Sequence, residues 1–275
     1  MNQLMPGVSN YDFRTIERGN SMLKRVLIAG ASFAMLSATA AYATDSGFGP
    51  CAIDAGTVKS VQEQLFKVVQ DGNGGLFKPN LMWSAVVDRR GVVCSVITNS
   101  ENNAWPGSRA IAMAKAFTAN GFSNSQLAIS TANLYAPTQP GGSLYGLNNS
   151  NPFNPSFDPQ QTGFNQVAGG IITFGGGVAL YKDGQVIGGL GVSGDTSCAD
   201  HAIAWRMRQN VGLQPRFCSP VSSASSSSSS QCVKGPNSSG NDNIEYAPAG
   251  KAPTGFQQPH CLPTDVTPTV VTPRA

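Results

Sequence analysis

Hydrophobic residues first recur at helical spacing in the stretch after Asp54. These positions are Val58, Val61, Leu65 and Val68. Residues three or four apart share one face of a helix, and aspartate is a favourable N-cap. The stretch ends in the helix-breaking sequence DGNGG at residues 71–75. The pattern predicts an amphipathic helix that begins after Asp54 and packs one face against a core.

Short β-rich runs follow this helix. LMWSAVVD and VVCSVI flank Arg89, Arg90 and Gly91, and this arrangement predicts an antiparallel hairpin. Residues 169–194 read GGIITFGGGVALYKDGQVIGGLGVSG. They predict a strand, a Gly-rich turn, a second strand, a hairpin turn at Asp183-Gly184 and a third strand.

Two further helices and one long loop complete the predicted elements. SRAIAMAKAFTAN follows Pro106 and ends at Gly121, and a last helix runs from about Thr196, its expected N-cap, to Asn210. Between them, residues 137–164 are rich in Pro, Gly, Asn and Ser. The aromatic residues set among these favour an ordered lid or interface over a flexible insertion. They are Tyr145, Phe153, Phe157 and Phe164.

A G-x-G-x-x-G pattern at Gly189, Gly191 and Gly194 resembles a dinucleotide-binding fingerprint. That fingerprint requires a parallel strand after the helix, ending in an acidic residue about 20 positions on. Here the helix leads into a serine-rich stretch, and the Asp183-Gly184 turn makes the preceding strands antiparallel. We therefore exclude a dinucleotide site at these glycines.

The N-terminus has the pattern of an export signal. Residues 22–43 contain a basic start, an apolar run and Ala41-Tyr42-Ala43, the order found in a cleaved signal peptide. We interpret residues 1–21 as an extension from an upstream start. The predicted location is the periplasm or the medium, and the apolar run is too short to span a bilayer, so no membrane span is expected after cleavage.

Charge and cysteine content narrow the function classes further. The chain has a net charge of +3 without a basic block, so we expect no nucleic-acid partner. Its six cysteines favour disulfides in an oxidising compartment. One plausible division places four within the folded domain and pairs Cys232 with Cys261, although the sequence does not fix the connectivity. The four are Cys51, Cys94, Cys198 and Cys218.

The predicted domain covers residues 51–218. After it, residues 219–275 are rich in Ser, Pro and Asn and have no sustained hydrophobic period. So few apolar side chains would not form a second core. We therefore expect a mostly disordered tail, with a Cys232 to Cys261 bridge as one possible loop.

The ordered motifs resemble the GlcG/HbpS-like family of haem-binding or haem-degrading domains, which includes the C-terminal domain of PduO-type proteins. Four motifs carry the resemblance over residues 54–212. They are SAVVDRRGVVCSV, AIAMAKAFTA, IITFGGGVALYKDGQVIGGLGVSG and TSCADHAIA. The resemblance implies an α+β fold, profilin-like or PAS-like, with an antiparallel sheet of about five strands flanked by helices.

The resemblance also implies a homo-oligomer that binds haem non-covalently for storage, sensing or turnover. Two alternatives remain open: an enzyme that degrades haem or acts on another small molecule, and an interaction or sensory module for a ligand other than haem. Whether the protein is an enzyme is therefore undecided.

The candidate haem site combines a helix, a turn and a histidine. Its residues are Lys115, Thr118, Gly175, Gly176, Gly177 and His201. Lys115 could meet a propionate or face solvent, and His201 could bind a metal or be an exposed or capping residue. No catalytic residue is identified. Five side chains are candidates for the axial ligand of the haem iron: His201, Tyr135, Tyr145, Met113 and Thr118.

Overall fold

Four antiparallel strands form one sheet in the computed structural model, which describes residues 50–149, 167, 169–218 and 232–269. The strands are β1 (Trp83–Asp88), β2 (Val93–Thr98), β3 (Gly177–Lys182) and β4 (Gln185–Ser193). Their order is β2-β1-β4-β3, so each predicted hairpin forms and β4 returns to pair with β1. The α+β class is therefore confirmed.

The sheet has one strand fewer than the sequence predicted within this part of the chain. Residues 171–174 were expected to form a strand but have no ladder partner. The backbone N–H of Ile172 donates to Thr118 Oγ1 at 3.0 Å, and that of Gly175 donates to the Gln258 side chain. These side chains satisfy N–H groups that a neighbouring strand would otherwise bind.

Four α-helices accompany the sheet in the described part of the chain. They are α1 (Ala55–Val68), α2 (Gly107–Gly121), the short α3 (Tyr135–Thr138) and α4 (Ser197–Asn210). Asp54 caps α1 by accepting from Thr57 N, and Thr196 caps α4 by accepting from Ala199 N. Both caps were expected from the sequence, and Gly212 follows α4 with φ +71°. No helix in the described residues is both long and apolar enough to cross a membrane.

The helices lie on opposite faces of the sheet because side chains alternate along each strand. Val86 joins the core that α1 and α4 form with β3 and β4, whereas Ala85 and Val87 pack against α2. The α2 face is lined by Ala112 and Ala116, so little side-chain volume separates helix and sheet. This arrangement brings α2 and α4 close to the turn before β3.

Glycines of β4 make the close approach of α2 possible. A Cβ built on Gly191 would lie 1.9 Å from the carbonyl oxygen of Ala112, and one on Gly189 would lie 2.1 Å from that of Ala116. No side chain fits between these backbones. The apparent nucleotide fingerprint is therefore part of a helix–sheet contact.

Residues 232–269, called the C-terminal segment below, pack against the domain, so the prediction of a disordered tail is wrong for them. Val233 and Ile244 are buried, and Asp242 makes a buried ion pair with Arg208 of α4. The segment lacks a hydrophobic core of its own. Polar contacts, disulfides and the packing of Val233 and Ile244 against apolar residues of the domain attach it instead. Residues 219–231 and 270–275 of the predicted tail lie outside the described residues, as does the predicted signal sequence.

Three disulfides join all six cysteines: Cys51–Cys94, Cys198–Cys261 and Cys218–Cys232. The suggested Cys232–Cys261 bridge is therefore wrong. Each of these two cysteines pairs with a cysteine of the domain, because the C-terminal segment lies on the domain rather than looping on itself.

The predicted lid is described only in part. Residues 137–149 form the end of α3 and a series of turns, in which Leu144 N donates to Pro137 O at 2.9 Å. Tyr145 is 68% exposed. Phe153, Phe157 and Phe164 lie outside the described residues, so the function expected of this loop stays a prediction.

Candidate functional site

A buried ion pair between α2 and α4 lies at the centre of the candidate site. Lys115 Nζ donates to Asp200 Oδ2 at 2.6 Å and to the carbonyl oxygen of Val192 at 3.2 Å. Asp200 Oδ1 accepts from the backbone N–H of Asp195 at 3.0 Å. The side chains of Lys115 and Asp200 are 0% and 2% exposed. The pair therefore joins two helices across the end of the sheet, away from solvent.

Burial and mutual attraction act in opposite directions on this pair. Burial lowers the pKa of Lys115, while the adjacent Asp200 carboxylate opposes that shift. Burial raises the pKa of Asp200 to about 7, and Lys115 opposes that shift. Each of the two buried charges is stabilised by the other, since an unpaired buried charge is strongly unfavourable. Lys115 is thus neither solvent-facing nor free to meet a propionate in this arrangement.

The turn formed by residues 175–177 packs directly on Lys115. Gly176 has φ +123°, and a Cβ there would lie 2.7 Å from Lys115 Nζ. A Cβ on Gly177 would lie 2.4 Å from the carbonyl oxygen of Lys115. The ring of Phe174 lies 5.0 Å from Nζ, within the range of a cation–π contact. Glycine is therefore needed here for close approach to the lysine.

Thr118 fixes the chain that enters this turn. Its Oγ1 donates to the carbonyl oxygen of Ala114 at 2.7 Å and accepts from the backbone N–H of Ile172 at 3.0 Å. The side chain is fully buried. Thr118 thus orients residues 171–174 and presents no free hydroxyl to a ligand.

His201 lies on α4, behind the same turn, and is fully buried. Its Nε2 accepts from the backbone N–H of Ile244 at 3.0 Å and lies 3.2 Å from Asn243 Oδ1, while Nδ1 has no hydrogen-bond partner. Burial lowers the pKa of His201 to about 4, with Arg208 adding to the shift and Asp242 opposing it. The imidazole is therefore neutral at pH 7. It is neither exposed nor a helix cap.

All six predicted site residues thus meet where α2, α4 and the glycine turn converge. Asp200, Asn243 and Gln258 complete the cluster and were not predicted as part of it. Asp200 belongs to the matched TSCADHAIA motif, but its pairing with Lys115, 85 residues away, has no local signal. Nothing in the C-terminal segment marked the other two residues.

The other axial candidates lie elsewhere. Met113 packs in the α2–sheet core, Tyr135 begins α3, and Tyr145 lies on the surface. None is placed in the cluster around Lys115 and His201 by its described contacts. His201 is the imidazole of this cluster, and neutral imidazole nitrogen is a common iron ligand in haem proteins.

The cluster does not fit a haem in this conformation. All six residues of the predicted site are buried. Among their side-chain nitrogen and oxygen atoms, only His201 Nδ1 lacks a hydrogen-bond partner within the described residues. Porphyrin binding requires an apolar slot that reaches such a nitrogen. Here no such slot is formed by the described contacts, and the C-terminal segment contacts the other ring nitrogen, Nε2.

A separate apolar groove of about 650 Å³ lies between α1 and β2. Ile53, Val58, Phe66 and Ile97 line it, with Lys59 and Glu63 among its polar residues. Phe66 is 52% exposed. The volume is within the range of small-molecule sites, but no predicted site residue contributes to this groove.

One group of possible metal ligands comprises Cys198, Cys261 and Asp265, whose ligand atoms lie within 4.8 Å of one another. The two sulfur atoms form a disulfide with each other. Metal binding by cysteine requires the thiolate, so this group is not a metal site in its present state.

The fold and the cluster define an α+β domain with a buried charged centre beneath a glycine turn. Residues 80–208 match the family model described as haem degrading protein HbpS-like. This match confirms the resemblance to that family that the motifs show in the sequence.

Two curated relatives share part of this region. The chain is 37% identical over 79 residues to the corrinoid adenosyltransferase PduO of Citrobacter freundii and 39% identical over 74 residues to that of Salmonella typhimurium. Each alignment covers 27% of this chain. The two alignments span only 19% and 17% of the lengths of these relatives.

Two solved structures are also similar. Klebsiella pneumoniae protein ORFY is 27% identical with a TM-score of 0.44, covering 58% of this chain and 90% of that chain. A structure described as a PduOC:heme complex is 26% identical with a TM-score of 0.42, covering 57% and 92%.

Proposed function

We propose that this protein binds haem non-covalently and is exported. The observation that carries the proposal is the match of residues 80–208 to a family model whose description names haem as its target. The proposed binding face is the glycine turn at residues 175–177 together with His201. Its neutral imidazole could bind iron if the face were uncovered.

Titration of haemin into the purified protein tests this function. We expect a saturable Soret shift at micromolar protein. His201→Gln keeps an acceptor for the Ile244 N–H but removes the imidazole, and it should weaken haem binding by about tenfold or more. Phe66→Glu places a charge in the α1–β2 groove and should leave binding unchanged.

Two results would contradict the proposal in different ways. The absence of any Soret shift would exclude haem binding. Loss of binding in Phe66→Glu but not in His201→Gln would instead assign the haem to the α1–β2 groove and reject the proposed face.

Haem breakdown is the second candidate, because the description of the matching family model is that of a haem-degrading protein. In a mixture of haem, a reductant and oxygen, the absorbance of the porphyrin band should then decrease faster with native protein than with a heat-denatured control. Equal rates would leave binding as the activity. Lys115, Thr118 and His201 are buried, so any such reaction also requires an uncovered face.

We further propose that the mature protein starts near Thr44, acts in the periplasm or the medium and forms a homo-oligomer. Three disulfides within the described residues suit an oxidising compartment. Mass spectrometry of the exported protein would locate its N-terminus, and light scattering after size-exclusion chromatography would give the number of subunits.

A further inference from the structure

A buried carboxylate lies beside the disulfide between Cys198 and Cys261. The side chain of Asp265 is 0% exposed, and one of its carboxylate oxygens lies within 4.8 Å of both sulfur atoms. Its Oδ1 is buried and has no hydrogen-bond partner in the part of the chain that the structure describes. Such an oxygen needs a physical explanation, and interaction with a cation is one of them.

Asp265 and Cys261 belong to one short turn, CLPTD. Asp265 Oδ2 accepts from the backbone N–H of Cys261 and from that of Leu262, the latter at 2.8 Å. The backbone N–H of Asp265 donates in turn to the carbonyl oxygen of Leu262 at 3.2 Å. These bonds hold the carboxylate next to Cys261 and do not require the disulfide.

Gln258 holds this turn beside the start of α4. Its Nε2 donates to Ser197 Oγ at 3.0 Å, and its Oε1 accepts from the backbone N–H of Gly175 at 2.7 Å. Gln258 is 1% exposed, so water competes little for these bonds. The turn should therefore stay near α4 when the disulfide is broken.

The other cysteine is fixed by α4 itself. Cys198 lies in the first turn of this helix and is 1% exposed. Ile203 and Trp205 anchor the helix in the main core, so Cys198 does not depend on Cys261 for its position. The N-terminal end of a helix carries partial positive charge, which favours a thiolate there. Reduction would thus leave two thiols and a carboxylate close together.

The chemistry of this group matches zinc. Zn²⁺ binds thiolate sulfur at about 2.3 Å and carboxylate oxygen at about 2.0–2.2 Å in a tetrahedron, so two zinc-bound sulfur atoms lie about 3.8 Å apart. Covalently bonded sulfur atoms are too close for this geometry, whereas two thiols in contact are not. Calcium and magnesium prefer oxygen ligands throughout, and two sulfur ligands therefore disfavour them.

We propose that Cys198 and Cys261, once reduced, form a zinc-binding site together with Asp265. In the reduction tested below, a phosphine attacks Cys261 Sγ and Cys198 leaves as a thiolate. Water then displaces Cys261 from phosphorus to give the phosphine oxide, and its two protons convert both thiolates to thiols. Zn²⁺ binds the two sulfur atoms with release of two protons, and the Asp265 carboxylate supplies a third bond. Water fills the fourth position, as in other zinc sites with three protein ligands.

Titration with Co²⁺ tests the site, because cobalt substitutes for zinc and gives a charge-transfer band when a thiolate binds it. We expect one Co²⁺ per chain after treatment of the purified protein with a phosphine, and no thiolate band in the oxidised protein. Cys198→Ser/Cys261→Ser should lose the band. Cys51→Ser/Cys94→Ser, which removes a different disulfide, should retain it.

Asp265→Asn tests the role of the carboxylate. The amide oxygen can still accept from the N–H groups of Cys261 and Leu262, so the turn is retained while the charge is lost. Competition with a chromogenic chelator should show that the zinc affinity of the reduced protein falls by about tenfold or more. Glu63→Gln changes an exposed carboxylate and should leave the affinity unchanged.

Alkylation of the reduced protein shows which cysteines bind the metal. Cys261 and Cys94 are both partly exposed. Zinc should slow the reaction of Cys261 with iodoacetamide and leave that of Cys94 unchanged. Peptide mass spectrometry measures the two sites separately.

Three results would each overturn the zinc site: no thiolate band after reduction, equal zinc affinity in Asp265→Asn, or no protection of Cys261 by zinc. If reduction of all three disulfides unfolds the chain, Cys261→His decides without a reductant. This variant cannot form the bond to Cys198, keeps the other two disulfides and offers an imidazole in place of the second thiolate. Binding of one Co²⁺ with a thiolate band supports the site, and the absence of a band rejects it.

Discussion

The residues of the candidate site differ in how far the sequence could reveal them. Asp54 and Thr196 were recognised as helix caps because each cap is a local motif of four residues. The pairing of Lys115 with Asp200 spans 85 positions and depends on how two helices cross the sheet. Local patterns carry no information on such a contact, so the lysine was interpreted as a ligand or a surface residue.

His201 should make stability depend on pH. Its pKa falls from 6.5 in the unfolded chain to about 4 in the folded protein. The unfolded chain therefore takes up a proton first as the pH falls. Stability from this residue is lost between about pH 6.5 and pH 4, by roughly 3 kcal/mol in total.

Urea unfolding of the unmodified protein and His201→Gln, each at pH 7 and pH 4, measures this effect. The contribution of Asp200 to stability depends on pH in the opposite direction. Its pKa is raised to about 7 in the folded protein, so this contribution increases as the pH falls. Asp200 is present in both proteins, and the difference between them isolates His201. A difference that does not change with pH would contradict the prediction.

At the scale of elements, hydrophobic periodicity was a reliable guide. The three long helices and both hairpins lie where the pattern predicted them. The strand expected at residues 171–174 failed because β-rich composition does not specify a partner strand. The bonds from Ile172 and Gly175 to side chains of distant residues replace that partner.

The contact between α2 and β4 should not tolerate a side chain at Gly191. Gly191→Ala would place its Cβ against the Ala112 carbonyl, which cannot move unless the helix moves. We expect a loss of about 3 kcal/mol in the free energy of unfolding. Gly72→Ala, where no atom lies within 4 Å of the added Cβ, should change stability by less than about 1 kcal/mol.

Thermal or urea unfolding of both glycine variants checks this expectation. A loss in Gly191→Ala no larger than that in Gly72→Ala would show that α2 can shift away from the sheet. The close approach would then not explain why glycine occupies β4.

At the scale of the whole molecule, composition did not indicate that residues 232–269 pack against the domain. Few apolar residues meant that no independent core could form beyond residue 218. That argument holds for a separate domain, but the C-terminal segment instead binds to a surface already folded. The disulfide to Cys198 and the hydrogen bonds to His201 and from Arg208 join residues far apart in the chain, and hydropathy does not predict such contacts.

The Arg208–Asp242 pair should be important for attachment of the C-terminal segment. Arg208 donates through both terminal nitrogens to Asp242 at 2.7 Å, and both side chains are fully buried. Asp242→Ala leaves the guanidinium without a counterion and should cost about 3–5 kcal/mol. The exposed Lys59–Glu63 pair provides a control, because Glu63→Ala should cost less than about 1 kcal/mol.

Urea unfolding gives these free energies, and limited proteolysis shows where the chain opens. Cleavage of Asp242→Ala should increase first within residues 232–269. Equal stability of the two variants would mean that Arg208 finds another partner once Asp242 is removed.

The position of the C-terminal segment also determines when the domain can finish folding. Translation produces α4 well before the residues that pair with it, since Asp242 and Cys261 follow their partners by 34 and 63 positions. Until Asp242 and Cys261 leave the ribosome, neither Arg208 nor Cys198 has the partner that it has in the folded protein. The contacts between α4 and the C-terminal segment therefore form only after the rest of the domain has been synthesised, and a chain that stops before Asp242 leaves the Arg208 guanidinium without its counterion.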